Sequence, residues 1–421
     1  MNDTPRTRSV VSCSLLVVTL VAGATACGEP DGHPLSAKPF DAADQVSFNG
    51  HAPNGKADPD KPLEVTVKGD EGRITDVTAA DSTGRRLAGE LAADGKRWHS
   101  TAPLAAGARY EVKVTTEDED GAPGRRTLTF ETTSPKKLLH VSFGPQAGTY
   151  GVGQPITAEL SAPVTDKAAR AAVERALKVR STPAVTGSWY WVDDKILHYR
   201  PQDYWPAGAA VEVSSNFKGI KVTNALYGAE VKPLHLSIGD RIEAITDASE
   251  HEMTVLRNGE VINTIPVTTG KPGFSTRNGV KVVLGKEAFV RMRGETVGIA
   301  EGSAESYDLP VYWATRVTWS GEYVHAAPWS VGSQGSANVS HGCTGMSTEN
   351  AEWFFDTVRE GDVVKVVGSE GETMTPFDNG FGDWNVSWEA WQKGSALRNA
   401  TLGAGAHPQT SALAARLRPQ V

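Results

Sequence analysis

Along most of the chain apolar and polar residues alternate with a period of two, and turn-forming residues break the alternation every few positions. Leu63-Glu64-Val65-Thr66-Val67, Tyr110-Glu111-Val112-Lys113-Val114 and Thr127-Leu128-Thr129-Phe130 are runs of this kind. Pro53-Asn54-Gly55 and Asp120-Gly121 are the punctuation between them. A strand with one buried face requires such alternation. Residues 43–134 therefore read as an immunoglobulin-like β-sandwich module with Trp98 in its core.

After a junction at Ser134-Pro135-Lys136-Lys137, residues 135–238 read as a second such module with one helix near residues 166–178. Ala169, Ala172, Val173 and Ala176 share one face of that helix, and Arg170, Glu174 and Arg175 lie elsewhere. Trp189-Tyr190-Trp191 alternates into a strand and reads as core rather than as a sugar platform. His198 and His235 read as ordinary strand residues.

Residues 239–369 form a third β-rich unit. Met253-Thr254-Val255-Leu256 and Val261-Ile262-Asn263-Thr264-Ile265 flank Asn258-Gly259, a strong hairpin signal. Asn278-Gly279 precedes the strand-like Val280-Lys281-Val282-Val283-Leu284. One helix stands out, with Ser347 as its N-cap, Ala351, Phe354, Phe355 and Val358 on one face, and Gly361 to end it. Asp362-Val363-Val364-Lys365-Val366-Val367 follows as a strand. In residues 370–394, Trp384, Trp388 and Trp391 recur at i, i+4 and i+7. They read as one helical face that clasps this extension onto another domain. Residues 395–421, rich in Ala, Gly and Pro, read as a disordered tail.

Composition adds bounds. With 421 residues the chain is long enough for two to four domains, and 43 glycines with 24 prolines fit an all-β, turn-rich architecture. The net charge of −8 and the lack of a dense Lys/Arg block argue against nucleic acid as a partner. Residues 1–26 have a short basic start and an apolar run, which is a secretory signal. The signal ends Ala24-Thr25-Ala26-Cys27, resembling a bacterial lipoprotein cleavage box, with Ala24 where Leu is usual. Cys27 is then expected to become a lipidated N-terminus, with residues 27–42 as a tether from the outer face of the cell membrane. The alternative is cleavage after Ala26, which leaves an exposed free thiol.

The chemistry concentrates in residues 323–347. Cys343 is the only cysteine beyond Cys27. It lies just before the helix capped by Ser347, where backbone N–H groups and the helix dipole are expected to favour a thiolate. His325, eighteen residues earlier, can serve as the base. No Asp or Glu lies between His325 and Glu349, so the imidazole needs a backbone carbonyl to orient it. Gly342 lets a substrate approach closely, so the Cys343 N–H and a neighbouring N–H can form an oxyanion hole. A buried structural cysteine is a poor reading of Ser340-His341-Gly342-Cys343-Thr344-Gly345. Zinc held by Cys343, His341 and His325 lacks the usual paired spacing, so neither metal nor cofactor is expected.

The stretch HAAPWSVGSQGSANVSHGCTGMS, residues 325–347, closely resembles the signature of L,D-transpeptidases with the YkuD-type catalytic domain. The resemblance runs from about Arg241 to Val367 and resumes in GFGDWNVSWEAWQKG, residues 380–394. It implies a mainly β chain: two immunoglobulin-like modules, then a YkuD-type catalytic domain with a short helix after the nucleophile. It implies that Cys343 attacks the L,D-peptide bond of a peptidoglycan tetrapeptide stem and that a second stem's side-chain amine resolves the thioester into a 3→3 cross-link. Hydrolysis by the same residues, or a non-catalytic wall-binding lipoprotein, are the alternatives. His325 matches the family's base, with the Ala326 carbonyl as its acceptor, and His341 matches the His beside the Gly-Cys pair. Tyr307 and Met292 fall on a flap over the site, and Ser320, Gly321, Trp329 and Ser340 at further substrate positions. Carbapenems are expected to acylate Cys343. One departure stands out: the family usually has Asn where this chain has Gly345.

Overall fold

The computed structural model describes residues 38–49, 55–69 and 72–398. The expected signal peptide, Cys27, most of the tether and most of the tail lie outside these residues. Among the described residues three large apolar cores and one small cluster of Val311, Ala314 and Tyr323 form, all built mainly from strands.

In the first module, alternation in Arg109–Glu117 sends Tyr110, Val112 and Val114 inward, onto Trp98 and Val65 of the facing four-stranded sheet. The strand Phe40–Asp41 pairs in parallel with Pro123–Thr132, and Ala42 is fully buried. The fold thus begins inside the expected tether, because Phe40 finds a sheet edge to cover.

The second module packs Trp189, Leu197, Trp205 and Val213 between two four-stranded sheets. Its helix α1 spans Lys167–Ala176, and the Asp166 carboxylate accepts from the Ala169 N–H at the N-cap. Two expectations change here. Glu174 is buried, because residues 395–397 fold over it: the Ser395 hydroxyl and the Ala396 N–H both donate to its carboxylate. The start of the expected tail is therefore docked. His198 is no ordinary strand residue either, since its Nδ1 lies 2.8 Å from Asp383 of the C-terminal extension.

The three tryptophans do clasp the second module, although not from one helical face. Helix α3 covers only Trp388–Lys393, with Ser387 as its N-cap, and Trp384 precedes it in a separate 3-10 turn. Arg200 lies over all three rings at 4.6–5.5 Å, and Trp391 is fully buried.

The catalytic unit has a five-stranded and a four-stranded sheet. Asn258 and Gly259 take positive φ angles of 53° and 93° at a tight hairpin between Glu252–Arg257 and Glu260–Pro266. In the four-stranded sheet the long strands Gly285–Arg293 and Asp308–Arg316 form a flap hairpin. Next to it Tyr323–Ala326 pairs in parallel with Thr344–Met346. Helix α2, Thr348–Thr357, is capped by the Ser347 hydroxyl and buries Ala351 and Phe354.

Candidate active site

The parallel pairing of Tyr323–Ala326 with Thr344–Met346 makes the site. It sets Val324 opposite Thr344 and His325 opposite Gly345, so Cys343 enters its strand beside Tyr323. The two strands are joined by residues 327–343, the loop that carries the sequence signature. Eighteen residues of separation thus collapse to adjacent strands.

His325 is buried, and its Nδ1 lies 2.8 Å from the Ala326 carbonyl. A carbonyl can only accept, so Nδ1 carries the proton and Nε2 keeps its lone pair for the substrate side. Burial holds the imidazole below the ordinary histidine range, while the Ala326 bond opposes that shift. Both effects considered, the ring is held toward its neutral form.

Cys343 differs from the expectation. The strand Thr344–Met346 separates it from α2, so no helix terminus faces the sulfur. Burial pushes the thiol up to about 11, against a lowering by the Tyr323 N–H. The Sγ–H points at the Gly321 carbonyl, 3.6 Å away. The Cys343 sulfur therefore rests as a neutral thiol, which would need a base to become a nucleophile.

The loop is held tightly. The Ser340 hydroxyl donates to the Cys343 carbonyl at 2.6 Å and accepts from the Gly342 N–H at 3.1 Å. That bond occupies the Gly342 N–H, so Gly342 is not a donor to an oxyanion. Gly342 adopts φ +116°, a conformation that other residues rarely take, and its carbonyl accepts from the Thr276 hydroxyl at 2.8 Å.

A cavity of about 260 Å³ opens over the sulfur. His325, His341, Met292, Tyr307, Gly321, Trp329, Ser340 and Gly345 share its walls with Cys343. Alternation along the flap aims Met292, Leu309 and Val311 into it. Ser320 is not on this cavity. Its N–H is tied to the Asn379 side chain at 2.8 Å, and it lines an adjoining cleft with Arg277, Glu322 and Gly342.

Gly345 also gains an explanation. Its N–H and carbonyl both bond to Thr268, and a Cβ there would meet the Ala327 Cβ at 2.9 Å. Neighbouring residues occupy the space that a longer side chain would need.

Several site residues were missed in the sequence. Glu305, at the flap tip, bonds the His341 Nε2 at 2.7 Å and Lys271 Nζ at 2.5 Å. The His341 ring sits edge-on to Phe274 at 4.6 Å and tilted against Tyr307 at 5.1 Å. The flap is latched to the loops it covers, and His341 is the strike plate. Thr268, Val297, Ala327, Ser330 and Val339 complete the walls. These pairings cross 34 to 36 residues, and no local pattern announces them.

The L,D-transpeptidase catalytic domain family matches residues 241–366, and the bacterial Ig domain family matches residues 55–221. The chain is similar to L,D-transpeptidase 2 of Mycobacterium tuberculosis (strain CDC 1551 / Oshkosh), with 35% identity over 399 residues covering 93% of this chain and 96% of that protein. It is similar to L,D-transpeptidase 5 of the H37Rv strain, with 33% identity over 341 residues, 79% of this chain and 73% of that one. A solved L,D-transpeptidase in complex with imipenem is 38% identical and covers 55% of this chain and 100% of its own, with a TM-score of 0.48.

Proposed function

The chain belongs to the L,D-transpeptidase family, and from that premise we propose that it forms 3→3 cross-links between peptidoglycan stem peptides. The Cys343 Sγ bonds to the carbonyl carbon of the L,D-peptide bond in a tetrapeptide donor while its proton passes to His325 Nε2. The C–N bond to the terminal D-Ala breaks, and that proton leaves on the D-Ala amine. A side-chain amine of the diamino acid in a second stem then attacks the thioester. The C–S bond breaks, and the proton lost by the amine returns to sulfur.

The observation that carries this reading is the Nδ1 bond of His325 to the Ala326 carbonyl, in a cavity shared with Cys343. It fixes the tautomer in which Nε2 can take the thiol proton. A neutral thiol and a neutral imidazole suit a substrate of no net charge at the reacting carbonyl, because charge appears only as the bond forms.

Incubating the protein with a disaccharide-tetrapeptide and weighing the products tests the proposal. Cross-linked dimers with release of D-Ala support it. A trimmed tripeptide alone makes the protein an L,D-carboxypeptidase, in which water replaces the acceptor amine. Unchanged substrate leaves a wall-binding protein.

The same thioester chemistry extends to carbapenems, whose strained lactam carbonyl offers Cys343 a comparable acyl centre. An intact-mass adduct on the wild type that disappears in Cys343→Ala is expected. The protein works on the outer face of the cell membrane, anchored through a lipid on Cys27. Labelled palmitate incorporated by the wild type and lost in Cys27→Ala checks that placement.

A further inference from the structure

Close to Cys343 lies a charge cluster with no part in the reaction above. Lys281 has a side chain only 1% exposed and Glu322 one of 8%, and their Nζ and Oε2 are 2.5 Å apart. Arg277 Nη1 reaches the other carboxylate oxygen at 2.9 Å. Ions removed from water lose more than an ion pair commonly returns, and apolar residues of similar volume usually stabilise a fold as well or better. Stability alone is therefore a weak reason for this pair.

Its place in the chain gives a stronger one. Glu322 stands between the two residues whose backbones grip the sulfur: the Gly321 carbonyl accepts from Sγ–H, and the Tyr323 N–H points at Sγ. Glu322 is fixed in both backbone and side chain. Its N–H donates to the Thr318 hydroxyl at 2.8 Å, and its carbonyl accepts from the Val317 N–H at 3.0 Å. The carboxylate then ties this turn to Lys281 on the strand Gly279–Val282 of the other sheet. We propose that the Lys281–Glu322 pair, with Arg277 at its rim, positions the 321–323 backbone beside Cys343 and balances the charge around its sulfur.

The inference rests on Cys343 being the nucleophile of the proposed reaction. Other titratable or charged groups around it are Tyr323 and His325 on its neighbouring strand, Tyr307 and Glu305 on the flap, and His341 in its own loop. Of the cluster, Glu322 disfavours the thiolate and Lys281 favours it. Removing either charge alone must therefore move the sulfur in opposite directions, which a purely structural role would not do.

The test is the pH dependence of Cys343 alkylation by iodoacetamide in the full chain, followed at the Cys343 peptide by mass spectrometry, with melting curves to show that each variant is folded. At pH 8, Glu322→Gln is expected to react about tenfold faster than wild type and Lys281→Met about tenfold slower. The double variant Lys281→Met/Glu322→Leu, which removes both charges, is expected to return to within about threefold of wild type. If Lys281→Met does not fold, Arg277→Met substitutes for it and shifts the rate in the same direction by less. Single variants that fold and shift the same way, or not at all, overturn the proposal, as does a double variant that stays displaced. Alkylation needs no peptidoglycan, so opposite shifts in a protein that forms no cross-links would leave this inference standing and remove the transpeptidase reading. The reverse pattern would do the opposite.

Discussion

The cavity over Cys343 and the joint between the second module and the catalytic unit both bury polar side chains, and they treat them in opposite ways. At the joint most buried groups are held by several partners, although Arg200 Nε and Asp383 Oδ2 have none. His198 pairs with Asp383, Arg200 donates to the Val386 carbonyl at 2.7 Å under three tryptophans, and Glu174 receives Trp191, Ser395 and Ala396. At the cavity His325 is held by the Ala326 carbonyl and Cys343 by the Gly321 carbonyl and the Tyr323 N–H, and both side chains line open space. Several partners per group mark those that hold the fold together. Partial satisfaction marks groups kept for a reactant.

Exchanging the damage between the regions would break that comparison most directly. The His325→Gln variant removes the base and little packing, so kcat is expected to fall about 10³-fold with the melting temperature hardly changed. In the wild type the acid limb of kcat reports loss of the neutral imidazole. It should lie below the ordinary histidine value of about 6.5, because burial lowers this group. The Trp391→Ala variant empties a fully buried site and loses the indole N–H bond to the Ser188 carbonyl at 2.9 Å. It is expected to cost about 3–5 kcal/mol in urea unfolding, with kcat per folded molecule unchanged. A stable but inactive Trp391→Ala variant, or an unfolded His325→Gln variant, would show that the two regions do not divide the labour in this way.

A further unpartnered atom at the joint belongs to Asp362. Asp362 is fully buried beside Gly151. Its Oδ2 accepts from the Arg359 N–H at 2.8 Å, but its Oδ1 has no partner. Burial pushes its carboxyl up to about 7 from an ordinary 3.8, against the Arg359 N–H and the Arg359 charge. A raised carboxyl means that the native state holds a proton which the unfolded state gives up. Stability therefore falls as pH rises from about 4 to 7, and the penalty is complete above 7. Asp362→Asn keeps the shape without the charge. Urea midpoints of variant and wild type should nearly coincide at pH 4 and diverge by pH 8, with the variant ahead by about 4 kcal/mol at most. Parallel curves across that range would mean that the carboxyl ionises freely in the fold.

Sequence reading was most successful where chemistry and structure share a short stretch. The signature around Cys343 is contiguous, so the shared cavity of Cys343 and His325 and the bond to the Ala326 carbonyl could be expected from it. The Ser347 cap and the Ala351–Phe354 spacing likewise located α2. Failures came where a residue's environment is set by register. Val280-Lys281-Val282-Val283 and Val364-Lys365-Val366-Val367 look alike, and they belong to paired strands. Pairing sets Lys281 opposite Val364 and Val280 opposite Lys365, so one lysine is buried against Glu322 and the other faces water. The strand Thr344–Met346 was invisible because three residues cannot show a period. Without it, Cys343 looked adjacent to a helix terminus.

Glu305 sharpens the comparison from its weakest end. It is a surface carboxylate whose partners, Lys271 and His341, both lie across the cavity mouth, so it belongs neither to the buried joint nor to the open cavity. The Lys271 bond, then the His341 bond, holds its carboxyl below the usual range. Exposed pairs contribute little, and salt screens them. The Glu305→Gln variant should therefore leave kcat within about twofold and raise KM about two- to fivefold at low salt, with the difference shrinking as ionic strength rises. A loss confined to kcat would instead put Glu305 in the chemical step, acting through His341. A change in KM that ignores salt would mean that the latch works by shape rather than by charge.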